Sequence, residues 1–108
     1  MTPRQRTMED VAALARIYRV PVADVMANSR RQNVVRARQA VMWMLRFRGW
    51  SYPQIGAFLH LDHATVVWGV GRHDERLGIQ SAAAHYVKAR RRRRRRFSNR
   101  SDEMRLAA

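Results

Sequence analysis

The sequence predicts an all-α fold: a compact helical domain with a helix-turn-helix, followed by a basic C-terminal tail. Three observations predict it. Apolar residues recur at three- and four-residue spacing along the body of the chain, the breaks between these runs hold capping and helix-ending residues, and no stretch alternates with the period of a strand. The length of 108 residues suits one domain. The organisation expected is a flexible N-terminus over 1–7, a helical domain over 8–80 and an arginine-rich tail over 81–108, partly helical or disordered.

Taken in order, Thr7 and Asp10 resemble a capping box with Asp in place of Glu or Gln, and Val11, Leu14, Ala15 and Tyr18 follow at helical spacing. This predicts a first helix over Met8–Arg19, ended by Pro21. Val22, Val25 and Met26 predict a short second helix. Asn28 to Asn33 has no apolar residue and reads as a basic loop carrying Arg30 and Arg31. A third helix over Val35–Arg48 has the stripe Ala37, Ala40, Val41, Met44 and Leu45, with Arg36, Arg38, Arg46 and Arg48 lying mostly off it and Gly49 as its C-terminal stop. Ser51 as N-cap and Pro53 in the first turn start a fourth helix that ends at Leu59. His60 and Leu61 make a tight connection, and Asp62 caps a fifth helix over His63–Leu77. Gly69 and Gly71 each lower that helix's propensity by roughly 1 kcal/mol relative to Ala, so small residues there suit close packing or close approach to a ligand. Ser81 to Lys88, with three alanines, starts a final helix, and the seven-arginine run beyond it is expected to repel itself into disorder.

The charge points to a polyanion. Lys and Arg number 22 against 8 acidic residues, a formal net charge of +14. The tail from Lys88 carries +8, but residues 1–87 still carry +6 without it, so the body is basic in its own right. With no cysteine there is no disulfide framework and no thiolate metal site, and His60, His73 and His85 show no metal-ligand spacing. No secretory signal is visible at Met1–Glu9, and the longest apolar run, Ala40 to Leu45, is too short for a bilayer. These readings predict a cytoplasmic, nucleoid-associated protein with no membrane, small-molecule substrate or cofactor. Nor do the tyrosines, serines and acids form a nucleophile–base–orienter set, so no enzyme is expected.

Helices four and five form the helix-turn-helix candidate. In that geometry the second helix enters the major groove and its N-terminal residues meet base edges. His63, Ala64 and Thr65 offer a donor or acceptor, a methyl group and a hydroxyl for that task. The alternative is that helix pairs with short turns are common in helical domains and His63 is a solvent-facing first-turn residue.

Four stretches carry a family resemblance over about Val11 to Leu77. Val22-Ala23-Asp24-Val25-Met26 precedes the basic loop, Val34-Val35-Arg36-Ala37-Arg38-Gln39 resembles Val-Ala-Arg-Pro-Arg-Gln, Ser51-Tyr52-Pro53-Gln54-Ile55-Gly56 resembles Ser-Leu-Pro-Glu-Ile-Gly, and Asp62-His63-Ala64-Thr65-Val66 resembles Asp-His-Thr-Thr-Val. In this order and spacing they resemble the C-terminal DNA-binding domain of the bacterial replication initiator DnaA, with a Trp-repressor-like helix-turn-helix. The resemblance implies sequence-specific binding of duplex DNA in replication initiation or its regulation. It implies Arg30, with Arg31 beside it, in the minor groove, and Asp62, His63 and Ala64 at bases in the major groove. It implies Thr65, Arg38, Gln39 and Arg72 on phosphates; Arg36 and Trp68 join the expected interface. The chain departs from the pattern at Ala64, at Leu61 in place of an arginine, at Trp68 in place of a histidine, and by one residue in the turn. These departures leave the target sequence open, and Asp62 reads equally well as an N-cap alone.

No Walker motif accompanies the domain, so the expectation is a reading head without the ATP-driven motor, of phage or prophage type, with the host replication machinery as a further partner. Arg90 to Arg96 would anchor on phosphate without a base code, or stay solvated. Trp43 and Met44 read as core, Trp50 as the corner between helices three and four, and Trp68 as either core stripe or a flat contact to the sugar–phosphate strand. The same features also suit a transcriptional regulator, or a nonspecific nucleic-acid-binding protein driven by its tail.

Overall fold

Among the described residues six helices follow in chain order: α1 Pro3–Ile17, α2 Val22–Met26, α3 Gln32–Phe47, α4 Tyr52–Leu59, α5 His63–Leu77 and α6 Ala82–Ala107. The structure is a computed structural model that describes the backbone of residues 1–107 and the side chains of residues 1–95. Among the described residues there is no strand. α3 is the spine, with α1, α2, α4 and α5 all packed on it, and α6 lies against α5.

The core follows from the apolar stripes. Val11 and Ala15 of α1, Val25 of α2, Val34, Ala37, Val41 and Leu45 of α3, Ile55 and Leu59 of α4 and Val66 and Val70 of α5 are buried together. At about 25 cal/mol per Å² of apolar surface removed from water, this cluster is the main source of stability. Trp50 meets Phe58 edge-on at 5.7 Å between α3 and α4, the corner expected of it.

α1 starts earlier than the apolar pattern predicts. Thr2 is its N-cap, Pro3 occupies the first turn, and Gln5 completes a reciprocal capping box: Gln5 N donates to Thr2 Oγ1 at 3.2 Å and Thr2 N donates to Gln5 Oε1 at 2.8 Å. Residues 3–7, expected to be a loose lead-in, are therefore helical. Thr7 is not a cap but is buried in the helix, its hydroxyl donating to the Pro3 carbonyl. The basic loop is also shorter than expected, because Arg31 is already the N-cap residue of α3 and Gln32 and Asn33 are helical.

Four helices stop in the same way. Arg19, Gly49, His60 and Gly78 each adopt a left-handed backbone. The next residue then donates its N–H five residues back: Val20 to Ala15, Trp50 to Leu45, Leu61 to Gly56 and Ile79 to Asp74.

α6 departs most from expectation. The arginine run, expected to be disordered, continues the helix begun at Ala82. Arginine is a good helix former, and α5 holds the start of the helix. Ser81 Oγ accepts from Ala84 N at 3.1 Å and donates to the buried Asp74 carboxylate at 2.5 Å. Ala83, Ala84 and Val87 are buried. Gly71 allows the approach: a Cβ there would run into the Ala83 carbonyl oxygen and the Val87 side chain. The length of α6 draws the molecule out to 64 × 26 × 25 Å.

Candidate nucleic-acid interface

α4 and α5 meet through a turn of three residues, His60, Leu61 and Asp62. Ser51 caps α4 in a reciprocal box with Gln54: Gln54 N donates to Ser51 Oγ at 3.2 Å and Ser51 N donates to Gln54 Oε1 at 2.9 Å. The turn is tight because Leu61 N reaches the Gly56 carbonyl at 2.8 Å, and a Cβ on Gly56 would strike the Leu61 carbonyl oxygen. Asp62 then caps α5, its carboxylate accepting from Thr65 N at 2.7 Å. Bonds from the Thr65 hydroxyl and then its amide hold that carboxyl below the ordinary aspartate range.

The two halves of α5 have different surroundings. Gly69, Val70, Gly71, His73 and Asp74 are buried between α3 and α6, whereas Asp62, His63 and Thr65 are exposed and Ala64 and Trp68 are half-buried. The N-terminal turn therefore faces outward on a helix whose far end is wedged. Asp74 secures that end, accepting from Trp43 Nε1 at 2.7 Å as well as from Ser81. Burial, and then the Arg76 cation, lower the His73 pKa from the ordinary histidine value, and the imidazole lies beside the Trp43 ring.

Arg30 and Arg31 are exposed on the loop before α3. Their loop is held from within by Arg38, which packs inward with the apolar stripe and not off it. Arg38 is only 8% exposed. Its Nε donates to the Val25 carbonyl at 3.0 Å, one terminal nitrogen to Ser29 at 3.2 Å, and the other to Asp24 at 3.3 Å and to Ala27. The Asp24 and Val25 carbonyls are left over at the end of α2, and the Ala27 carbonyl accepts from Ser29 N at 2.9 Å as well. Burial lowers the Arg38 pKa from the usual arginine value, but arginine remains protonated.

Gln39 is likewise 8% exposed, its Oε1 accepting from Arg76 at 2.6 Å. The Arg76 bond takes the carbonyl end of the Gln39 amide. Arg36 is exposed, and Arg72 is half-buried 3.7 Å from Glu75. Arg76, which the sequence reading passed over, holds the Gln39 amide, and burial and then the Arg72 cation lower its pKa from the usual arginine value. Its signal was present in the sequence: position 76 lies one helical turn beyond Arg72.

Trp68 belongs to neither the core nor open solvent. With Asp62, Ala64 and Thr65 it lines a groove of about 330 Å³, closed on the other side by Arg90 and Arg94 of α6. The seventh arginine of the run, Arg96, lies outside the described side chains.

Residues 11–72 match the family model described as bacterial dnaA protein helix-turn-helix. The chain belongs to this family. It is 36% identical over 63 residues to the chromosomal replication initiator protein DnaA of Pelobacter propionicus, covering 56% of this chain and 14% of the relative. It is 34% identical over 84 residues to the DnaA of Magnetococcus marinus, covering 75% and 19%, and 37% identical over 59 residues to that of Dechloromonas aromatica, covering 53% and 13%. The chain therefore spans less than a fifth of the length of these relatives. No solved structure matches it. The matched DnaA segment takes in the last seven residues of α1, all of α2 to α4 and the first ten residues of α5, and it stops before α6.

Proposed function

We propose that this chain binds double-stranded DNA at a specific sequence and acts in replication initiation or its regulation. Membership of the DnaA helix-turn-helix family implies DNA binding connected with replication initiation. The outward N-terminal turn of α5 carries the finer reading: it is capped, exposed and held at its far end by two neighbouring helices. In this reading α5 enters the major groove, with His63 at a base edge and the Ala64 methyl against a base. Asp62 supports the pair as a cap, and Thr65, Arg36 and Arg72 take phosphates. Arg30 and Arg31 reach the adjoining minor groove, and Arg38 and Gln39 position rather than touch DNA.

The role proposed is binding without catalysis, in the cytoplasm on the nucleoid, beside the host replication machinery and in a phage or prophage setting. No described helix is long and apolar enough to cross a membrane, and the described residues hold no group of three potential metal ligands.

A selection from a random duplex library at fixed salt tests the reading by yielding one motif. On that motif His63→Ala costs roughly 1–3 kcal/mol, with little loss on random duplex. An equal loss on both duplexes removes His63 from base reading, and a selection that yields no motif refutes sequence specificity.

A further inference from the structure

We propose that Arg90 and Arg94 form the second wall of the DNA-binding cleft, gripping the phosphate strand that borders the groove read by α5. The proposal rests on the reading of α5 as the duplex-binding helix, and it assigns α6, which the family match does not reach, a defined place in the interface.

Side-chain packing shows α6 running back along α5. Asp74 meets Ser81, Gly71 faces Ala83 and Val87, and Thr65 and Trp68 share their groove with Arg90 and Arg94. The return therefore brings the arginine run level with the outward turn of α5. Helical register then sorts the arginines by task. Arg91 follows the buried Val87 by one turn and bonds to Glu75 at 3.1 Å, which fastens this part of α6 to α5. Arg90 and Arg94, one turn apart, come to the groove edge. Arg92 and Arg95 do not line the groove, and the mean direction of that pair lies about 150° around the helix from that of Arg90 and Arg94 at 100° per residue.

The chemistry suits one occupant. Arg90 donates to the Tyr86 hydroxyl at 2.9 Å, a neutral acceptor that orients the guanidinium and leaves its charge unpaired. Among the described residues neither Arg90 nor Arg94 is within ion-pair distance of an acid. The one carboxylate lining the groove, Asp62, already accepts from the start of α5. Two guanidinium forks one turn apart beside an exposed helix N-terminus match successive phosphates of a DNA strand.

The test compares two full-length variants that remove the same charge from the same helix, R90Q/R94Q and R92Q/R95Q, by fluorescence anisotropy on duplex DNA across a salt series. Glutamine keeps helix propensity near that of arginine, and matched far-UV circular dichroism checks α6. Each phosphate neutralised contributes about 0.9 to the slope of log affinity against log salt. R90Q/R94Q is expected to lower that slope by about 1.8 and R92Q/R95Q to change it little, with R90K/R94K keeping the wild-type slope. Equal reductions in the two pairs, or none in R90Q/R94Q, overturn the proposal, because the run would then act as diffuse charge or not at all. The comparison is made on random duplex as well as on a selected site. A wild-type protein without site preference refutes the reading of α5, while the difference between the pairs still decides the place of α6.

Discussion

A guanidinium carries five N–H groups in a fixed fork and can cover several carbonyl oxygens at once. Arg38 sits where the carbonyls of Asp24, Val25, Ala27 and Ser29 converge. Replacing it with Met preserves much of the stem but leaves the carbonyl of the buried Val25, and those of the half-buried Asp24 and Ser29, without this donor. The expected cost is about 2–4 kcal/mol in urea unfolding, because charged hydrogen bonds disappear and their acceptors go unmet. Lys in its place recovers only part of this, since an ammonium cannot span the same four oxygens. Amide hydrogen exchange should also quicken at residues 27–31, the loop that carries Arg30 and Arg31. An Arg38→Met protein as stable as the parent, with unchanged exchange in the loop, would refute the role given to this side chain. The signal for burial was present in the sequence: Arg38 falls in series with Val34, Val41 and Leu45 at spacings of four, three and four. The residue type argued for the surface and the register for the interior, and the register was right.

Between elements, the two glycines of α5 separate packing from propensity. A Cβ at Gly71 meets the backbone of Ala83 on α6, and a helix backbone cannot step aside alone. A Cβ at Gly69 meets the thioether end of Met42, a flexible group, with Gln39 Cγ close behind at 3.3 Å. Alanine contributes roughly 1 kcal/mol to helix propensity over glycine at either site, while overpacking costs about 1–3 kcal/mol where nothing yields. Gly71→Ala should therefore destabilise the protein and loosen α6, whereas Gly69→Ala should stay near neutral. Thermal unfolding of the two variants checks this; similar midpoints would mean that α6 does not rest on Gly71.

The same contrast explains what was legible in the chain. α2, α4 and α5 announce themselves through Val22, Val25 and Met26 after the break at Pro21, through Ser51 with Pro53, and through Asp62, local signals that need no partner. The start of α1 was missed because its first turn is polar and offers only a cap, Thr2 with Gln5, without apolar periodicity. The course of α6 was missed because its anchors, Gly71, Asp74 and Glu75, belong to another helix.

Across the whole molecule, basic charge is carried by two bodies with different geometry. The globule to Val87 holds +6 and the segment from Lys88 holds +8. The globule keeps its core without that segment, since Ala83, Ala84 and Val87 all precede Lys88. A chain ending at Val87 should fold, then bind duplex DNA more weakly at every sequence and with a shallower salt dependence. Every phosphate no longer neutralised lowers that slope by about 0.9, whichever base pairs lie beneath it. The ratio of affinities between a selected site and random duplex should change little, because the residues proposed to read bases all lie on α5 and on the loop before α3. Measuring both affinities at two salt concentrations separates the bodies. If the ratio collapses towards one on truncation, site preference depends on α6 and not on the outward turn of α5 alone. If neither affinity nor slope changes, the arginines from Arg90 onward take no part in binding.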